Sequence, residues 1–368
     1  MLLLGGELWA EPALSFQGQA SAWIDVNPDE ELSVWLGARY TPQVNFPLLR
    51  EGDRRFDCEL SATIHGLGGL HPFDSTHTEG ALRAYRAWAR VAMPRMELRL
   101  GLQKINFGSA SVLRPLMWFD QVDPRDPLQI TNGVWGLLGR YYFLSNANIW
   151  LWGLYGNEGP KSWELCRTAT NTPEFGGRAQ VPVPRGEAAL SFHHRTADLT
   201  SPGLSGVGDS HASENRWGVD AKVDVGIGLW LEGTWMSTRR DIGSYTNQHI
   251  LNLGADYTFG LGNGLNAIAE QLLVSYDRDP FTFGSATHIS AVSLLYPLNI
   301  LDSISAILYR NWTKEDSYAF VSWRRQLDSF TFHLMAFWNP KTGPLPQRSD
   351  SADMLAKRGF QVMVVFHH

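Results

Sequence analysis

Along most of the chain, apolar and polar residues alternate with a period of two rather than 3.6. In Trp217-Gly218-Val219-Asp220-Ala221-Lys222-Val223-Asp224-Val225, the tryptophan, valines and alanine share one face, and Gly218, Asp220, Lys222 and Asp224 share the other. A strand separates these residues cleanly, and a helix would scatter them. The same split recurs in 251–259, 330–334 and 56–64. Segments of about ten residues with one apolar and one charged face are what a wall between lipid and water requires. Strands are expected near 14–25, 31–41, 54–65, 80–92, 95–106, 134–144, 147–156, 175–182, 186–196, 215–225, 228–238, 247–259, 265–277, 286–296, 301–312, 317–326, 328–339 and 357–366. That is 18 strands, or 16 if the weaker segments 80–92 and 175–182 are not separate. The expected fold is all-β: one transmembrane antiparallel β-barrel over 14–366, preceded by a segment 1–13.

From the fourth strand onward the connections alternate short and long. Short ones fall at Pro94-Arg95, Ser145-Asn146, 183–185, Gly226-Ile227, 297–299 and Leu327, and long ones at 107–133, 157–174, 197–214 and 340–356. An even strand count with this phase puts both termini at the end bearing the short turns, as in single-chain barrels. Two places run against the alternation: Asn27-Pro28-Asp29-Glu30 is short for a loop, and 42–53 is long for a turn.

Composition agrees. Charged residues make up 18 % of the 368, aromatics 12 % with 15 Trp, and glycine occurs 35 times. Mean hydropathy is only −0.20, and no apolar run approaches the ~18 residues of a membrane-spanning helix. The net charge of −6 implies no nucleic-acid partner. Cys58 and Cys166 lack metal-ligand spacing and are expected as unpaired thiols. Met1-Leu2-Leu3-Leu4 and Leu8-Trp9-Ala10 are compatible with a signal-peptide remnant. The missing basic segment and short apolar stretch instead favour a clipped or misassigned start.

Catalytic signatures are missing from the sequence: it has no G-x-S-x-G, H-E-x-x-H, phosphate-binding loop or C-x-x-C. No enzymatic activity, cofactor or metal is therefore expected. His193 and His194 are adjacent, so a strand sends one inward and one outward, and His65, His71 and His77 are expected in or near a 65–79 loop with Asp74 and Glu79, at irregular spacing. The inward face carries more information. Parity places Asp25, Arg39, Asp57, Glu59, Arg86, Arg90, Glu97, Arg99, Gln103, Arg140, Glu187, Arg195, Asp220, Lys222, Asp224, Glu232 and Asp256 there, nine acids against seven bases. Such a lumen is either hydrated or salt-bridged.

Segment 107–133 follows the fifth strand and carries Val112, Leu113, Leu116, Met117, Trp118, Phe119 and Val122, too apolar for a solvent-exposed loop. It is expected to fold into the lumen. Its Arg114, Asp120, Asp123, Arg125 and Asp126 would then form a constriction, with Arg86, Arg90, Arg99, Gln103 and Arg140 on the facing wall. Acidic loop residues opposite a basic wall either set up a transverse field or lock the loop by salt bridges. Trp217, Trp235 and Trp338 are expected to face lipid, and Trp23, Trp35 and Trp88 the lumen, with Trp150 and Trp152 sharing one face. Inward rings would also suit a stacking track for sugars.

Two segments carry a family resemblance. Phe360, Val362, Val364 and Phe366 alternate with Gln361, Met363 and Val365, similar to the C-terminal strand by which outer-membrane barrels are recognised by their assembly machinery; His367-His368 follow, native or a tag remnant. Gly101-Leu102-Gln103-Lys104-Ile105-Asn106-Phe107-Gly108, followed by Arg114-Pro115 and Asp123-Pro124-Arg125-Asp126-Pro127, resembles the fifth-strand region of phosphate-selective and alginate-export porins of Gram-negative bacteria. Leu102 stands where that pattern has Arg, while Gln103 and Gly108 match it. The resemblance implies an outer-membrane channel for passive diffusion of small polar solutes. Lipids and lipopolysaccharide would surround it, the assembly machinery would engage the strand ending at Phe366, and a homo-oligomer or lipoprotein partner is compatible. The alternative is a polysaccharide or protein export barrel, or a structural secretion subunit, with a plugged pore.

Overall fold

The computed structural model describes residues 14–28, 33–70, 77–122, 124–200, 210–340 and 358–368. The strands are β1 (Ser15–Asn27), β2 (Ser33–Glu51), β3 (Arg54–Leu70), β4 (His77–Met93), β5 (Met96–Gln103), β6 (Val134–Tyr142), β7 (Asn148–Leu154), β8 (Glu174–Val183) and β9 (Gly186–Asp198). They continue with β10 (His211–Asp224), β11 (Gly228–Thr238), β12 (Asn247–Phe259), β13 (Leu265–Asp277), β14 (Ala286–Pro297), β15 (Asp302–Asn311), β16 (Asp316–Gln326), β17 (Phe330–Trp338) and β18 (Arg358–His367). Each pairs antiparallel with its chain neighbour, and β18 pairs with β1 from Val26↔Phe360 to Gln19↔His367, closing an 18-stranded barrel. His368 continues that seam: the Gly18 N–H donates to its carbonyl at 3.0 Å and its own N–H to the Gly18 carbonyl at 3.1 Å.

The short turns share one end of the barrel with Ser15 and His367, called here the terminal end. The opposite, loop end carries 104–133 and 155–173. Two sequence expectations are corrected. Segment 42–53 is not a long turn: β2 runs on to Glu51 with a bulge between Pro47 and Leu49, and the turn is Gly52-Asp53. Pro42 and Pro47 interrupt the alternation without ending the strand: Pro42 keeps its register opposite Gly18, and a bulge follows Pro47. His65 and Glu79 are likewise not in a loop but in β3 and β4; His71 and Asp74 lie outside the described residues.

The lipid-facing side is set by parity. Trp217 and Trp338 are exposed on the outer face, and Trp235 stacks there on His249. His194 is also outside, against Phe175, while His193 is buried inside. Cys58 and Cys166 are free thiols.

The interior is divided. The inner faces of β3 to β11 carry most of the charged residues, with Asp25 on β1, Asp256 on β12 and Glu270 on β13 besides. Those of β12 to β18 and β1 carry Ile250, Leu272, Ile289, Ile307, Tyr309, Phe320, Met335, Phe337, Met363 and Trp23, packed into one buried apolar cluster with Val112 and Leu113. Several inward tryptophans lie over a glycine paired with them in register. Trp23 faces Gly37, Trp35 faces Gly69 and Trp230 faces Gly254. A Cβ on Gly37 or Gly254 would come within 2.1 Å of the indole, so these rings tile the wall only because the opposite residue has no side chain. Gly254→Val is expected to cost about 1–3 kcal/mol by overpacking. Urea unfolding in detergent should show the loss, and Trp230→Ala in the same chain should relieve most of it.

Candidate constriction site

The site is built by the segment after β5. Residues 104–133 leave the wall, enter the lumen and reach β11 to β13, up to eight strands around the ring. Their apolar side chains are buried as expected: Ile105, Leu113, Leu116 and Phe119 are each 1 % exposed. Phe107 stacks on Trp152 at 5.6 Å, and Trp118 and Phe119 complete an aromatic cluster against β6 and β7.

Two carboxylates on the far wall hold the segment by its backbone. Glu232 of β11 accepts the N–H groups of Ala110 at 2.6 Å and Leu116 at 3.2 Å. Glu270 of β13 accepts those of Ser111 at 2.7 Å, Val112 at 3.1 Å and Leu113 at 2.5 Å. Asn252 of β12 bridges the arrangement, donating to the Leu113 carbonyl at 2.5 Å and to Glu270 at 3.2 Å. Five backbone donors of the crossing segment, which would otherwise be buried without partners, are satisfied by this latch. Gly108 makes room for it. Its φ is +101°, and a Cβ there would lie 2.3 Å from the Glu232 carboxylate.

A second loop reinforces the first. In 155–173, Trp163 Nε1 donates to the Arg114 carbonyl at 2.7 Å, and Gln121 Nε2 to the Pro160 carbonyl at 2.7 Å. Glu164 pairs with Arg195 at 3.0 Å and Arg216 at 2.9 Å, and both arginines also pair with Glu214 at 2.6 Å. Two guanidinia against two carboxylates satisfy the charge balance that full burial demands. Burial and the nearby Glu214 push the Cys166 thiol up to about 11, so it is a poor nucleophile. Alongside, the buried His193 accepts from Trp152 Nε1 at 3.1 Å and pairs with Glu174 at 3.1 Å.

The expected wall residues all face inward. Arg90 holds Asp57 through two hydrogen bonds, at 2.9 and 2.5 Å, and Arg90, Arg99 and Arg140 converge on Glu97 at 3.6, 3.1 and 3.5 Å. Their carboxylate partners therefore come from the wall. Arg86 reaches the loop, donating to the carbonyl and hydroxyl of Thr131. Gln103 spans β5 and β6, donating to the Arg99 and Gly136 carbonyls at 3.1 and 2.9 Å. Within the loop, Arg114 binds Asn106, Arg125 donates to Asn339 at 3.2 Å, and Asp126 accepts the Leu128 N–H at 2.9 Å. Asp123 lies outside the described residues. Burial raises the Asp120 carboxyl above its usual range, opposed by the Gln121 and Gly133 N–H groups and by Arg86 and Lys104. Burial likewise lowers Lys104.

Arg90 and Asp57 remain 28 % and 27 % exposed near the terminal end, and Lys222 and Asp256 are 41 % and 35 % exposed. That end is a solvent-accessible, charged vestibule, whereas the side chains of the crossing segment at mid-height are buried. The wall tryptophans do not offer free faces: Arg99 lies 4.6 Å over Trp88, Arg140 3.9 Å over Trp150, and Lys222 5.2 Å from Trp230, which has Gly254 beneath it. Sequence reasoning missed Glu270, Glu214, Arg216 and Arg178; parity on β8, β10 and β13 would have placed them inside.

No protein-family model matches the chain, and no curated protein does. Solved structures do. The chain is similar to Pseudomonas aeruginosa OccD3 (OpdP), with 10 % identity over 96 % of this chain and 91 % of that one and a TM-score of 0.59. It is similar to Acinetobacter baumannii OccAB4, with 10 % identity over 96 % and 97 % and a TM-score of 0.58. For P. aeruginosa OpdQ the values are 8 %, 96 %, 97 % and 0.55. This is the porin barrel fold. Its lumen-crossing segment makes two predictions. Gly108→Ala should displace the Glu232 carboxylate, freeing the segment and exposing the 110–116 amides to faster hydrogen exchange. Asp120 has a raised folded pKa, so its contribution to stability is greatest at low pH and falls as pH rises from the unfolded value toward the folded one. Asp120→Asn should therefore gain on the native chain between pH 4 and pH 8, read as diverging urea midpoints.

Proposed function

We propose that the protein is a channel of the Gram-negative outer membrane through which small polar solutes diffuse passively, constricted by 107–133. The observation carrying this reading is the latch. A segment fixed across an 18-stranded lumen by Glu232 and Glu270 narrows the path without lining all of it. The charged wall of β3 to β6, with Arg86, Arg90, Arg99, Gln103 and Arg140, borders the remaining polar side. Arg114, Asp120, Arg125 and Asp126 form the loop side of the constriction; the fifth expected member, Asp123, lies outside the described residues. The likeness of the 101–127 region to phosphate-selective and alginate-export porins agrees with this role, although Leu102 replaces the pattern's Arg. Lipopolysaccharide around the wall and recognition of the strand ending at Phe366 by the assembly machinery complete the reading.

A second reading rests on the apolar half of the lumen. The packing of β12 to β18 and the cross-bonding of 107–133 to 155–173 favour a plugged barrel of an export or secretion assembly. Conductance of the refolded barrel in a planar bilayer separates the two. The channel reading expects steady open conductance with weak ion selectivity, rising several-fold when 113–122 is deleted and increasing in Glu232→Gln/Glu270→Gln. A folded barrel that conducts only after the deletion establishes the plug.

A further inference from the structure

The outer face of β13 to β16 does not match the rest of the belt. On β12 the outward apolar positions run from Leu251 to Phe259, on β17 from Phe330 to Trp338 and on β1 from Phe16 to Val26, giving five, five and six positions. On the intervening strands the run is broken after three: Leu265 to Ala269, Tyr296 to Val292, Ile304 to Leu308 and Trp323 to Ala319, with only Leu273 of β13 resuming it beyond. Each run is broken at the same row. Gln271 pairs in register with Ser290, Ser290 with Arg310, and Arg310 with Ser317. The row is polar and internally bonded: Ser290 Oγ donates to Gln271 at 2.5 Å, Trp312 Nε1 to Ser290 at 2.7 Å, and Arg310 to Ser317 at 2.9 Å. His288 is exposed one outward position above Ser290.

The missing apolar length reappears below. The turn Leu298-Asn299-Ile300-Leu301 joins β14 to β15 at the terminal end, and Ile300 is fully exposed at 102 %, with Leu298 and Leu301 at 41 and 42 %. In the preceding turn Leu261 is 59 % exposed. A turn in water has no reason to present three large aliphatic side chains outward. Three outward positions span only ~13 Å of strand, about 10 Å of height at a 45° tilt, against an apolar band of about 25 Å. Adding the turn restores roughly 5 Å or more of the difference.

We infer that the lipid belt of this sector is displaced toward the terminal end, so that turns 260–264 and 298–301 are immersed in the bilayer boundary while the Gln271–Ser290–Arg310–Ser317 row lies at headgroup level. The occupant of the surface is the bilayer itself. With the longer belt on β1 reaching the loop end, the barrel axis leans relative to the membrane normal, since a local mismatch is met by tilt and thinning.

Nitroxide labels test this in phosphatidylethanolamine/phosphatidylglycerol vesicles, using the full chain with Cys58→Ala and Cys166→Ser. Labels at Ile300→Cys and Ser290→Cys are read for collision with oxygen, which partitions into lipid, and with a water-soluble nickel chelate. A label at Leu334→Cys reports that the barrel is inserted. The inference requires oxygen-dominated relaxation at 300, matching 334, and nickel-dominated relaxation at 290. Nickel access at 300, or oxygen dominance at 290, overturns it; protection of both sites from both reagents also overturns it and assigns the face to a protein contact. Leu261→Cys and His288→Cys repeat the comparison if a variant fails to fold, and loss of lipid contact at 334 would instead contradict membrane insertion.

Discussion

Everything in this structure follows from the requirement that no backbone N–H or C=O be left unpaired against lipid. A sheet meets it only by closing, and here the closure is the β1–β18 pairing that runs from Val26↔Phe360 to the Gly18–His368 bonds. Closure with 18 strands fixes a circumference whose interior side chains cannot fill. The chain must therefore leave water inside or send a segment inward. It does both, with solvent-accessible charged groups at the terminal end and a middle crossed by the buried side chains of the segment after β5.

The crossing segment faces the same accounting problem as the wall. Irregular backbone at membrane depth is tolerated only where protein satisfies it. Glu232, Glu270 and Asn252 do so from one side, and Trp163 from the second loop does so from another. The internal division of charge follows. Most carboxylates and guanidinia gather on β3 to β11, and β12 to β18, Glu270 apart, receive the apolar surface of Val112 and Leu113.

The sequence made the wall legible because every lipid-facing strand must alternate, and β10 or β12 could be read from one line of residues. The strand that misled, β2, hides its continuity behind Pro42 and Pro47, and the bulge after Pro47 is one that only the partner strand reveals. The inward course of 107–133 was legible from its own apolar content. Its attachment was not. A carboxylate that will accept backbone amides looks, in sequence, like any inward Glu, and Glu270 stands between Ala269 and Gln271 without a local sign of its role. Arg90 and Arg140 were placed on the correct face, but their partners Asp57 and Glu97 come from pairing register, which alternation does not supply.

Because the latch grips peptide N–H groups, it does not read the identity of the residues that carry them. Ala110, Ser111, Val112, Leu113 and Leu116 present the same donor whatever their side chains. At Gly108 alone the carboxylate needs the missing Cβ. Val112, Leu113 and Leu116 are fixed a second time by packing, so a segment held in this way leaves its exposed position Ser111 open to change while the packed side chains and two glutamates on the opposite wall keep it in the same position.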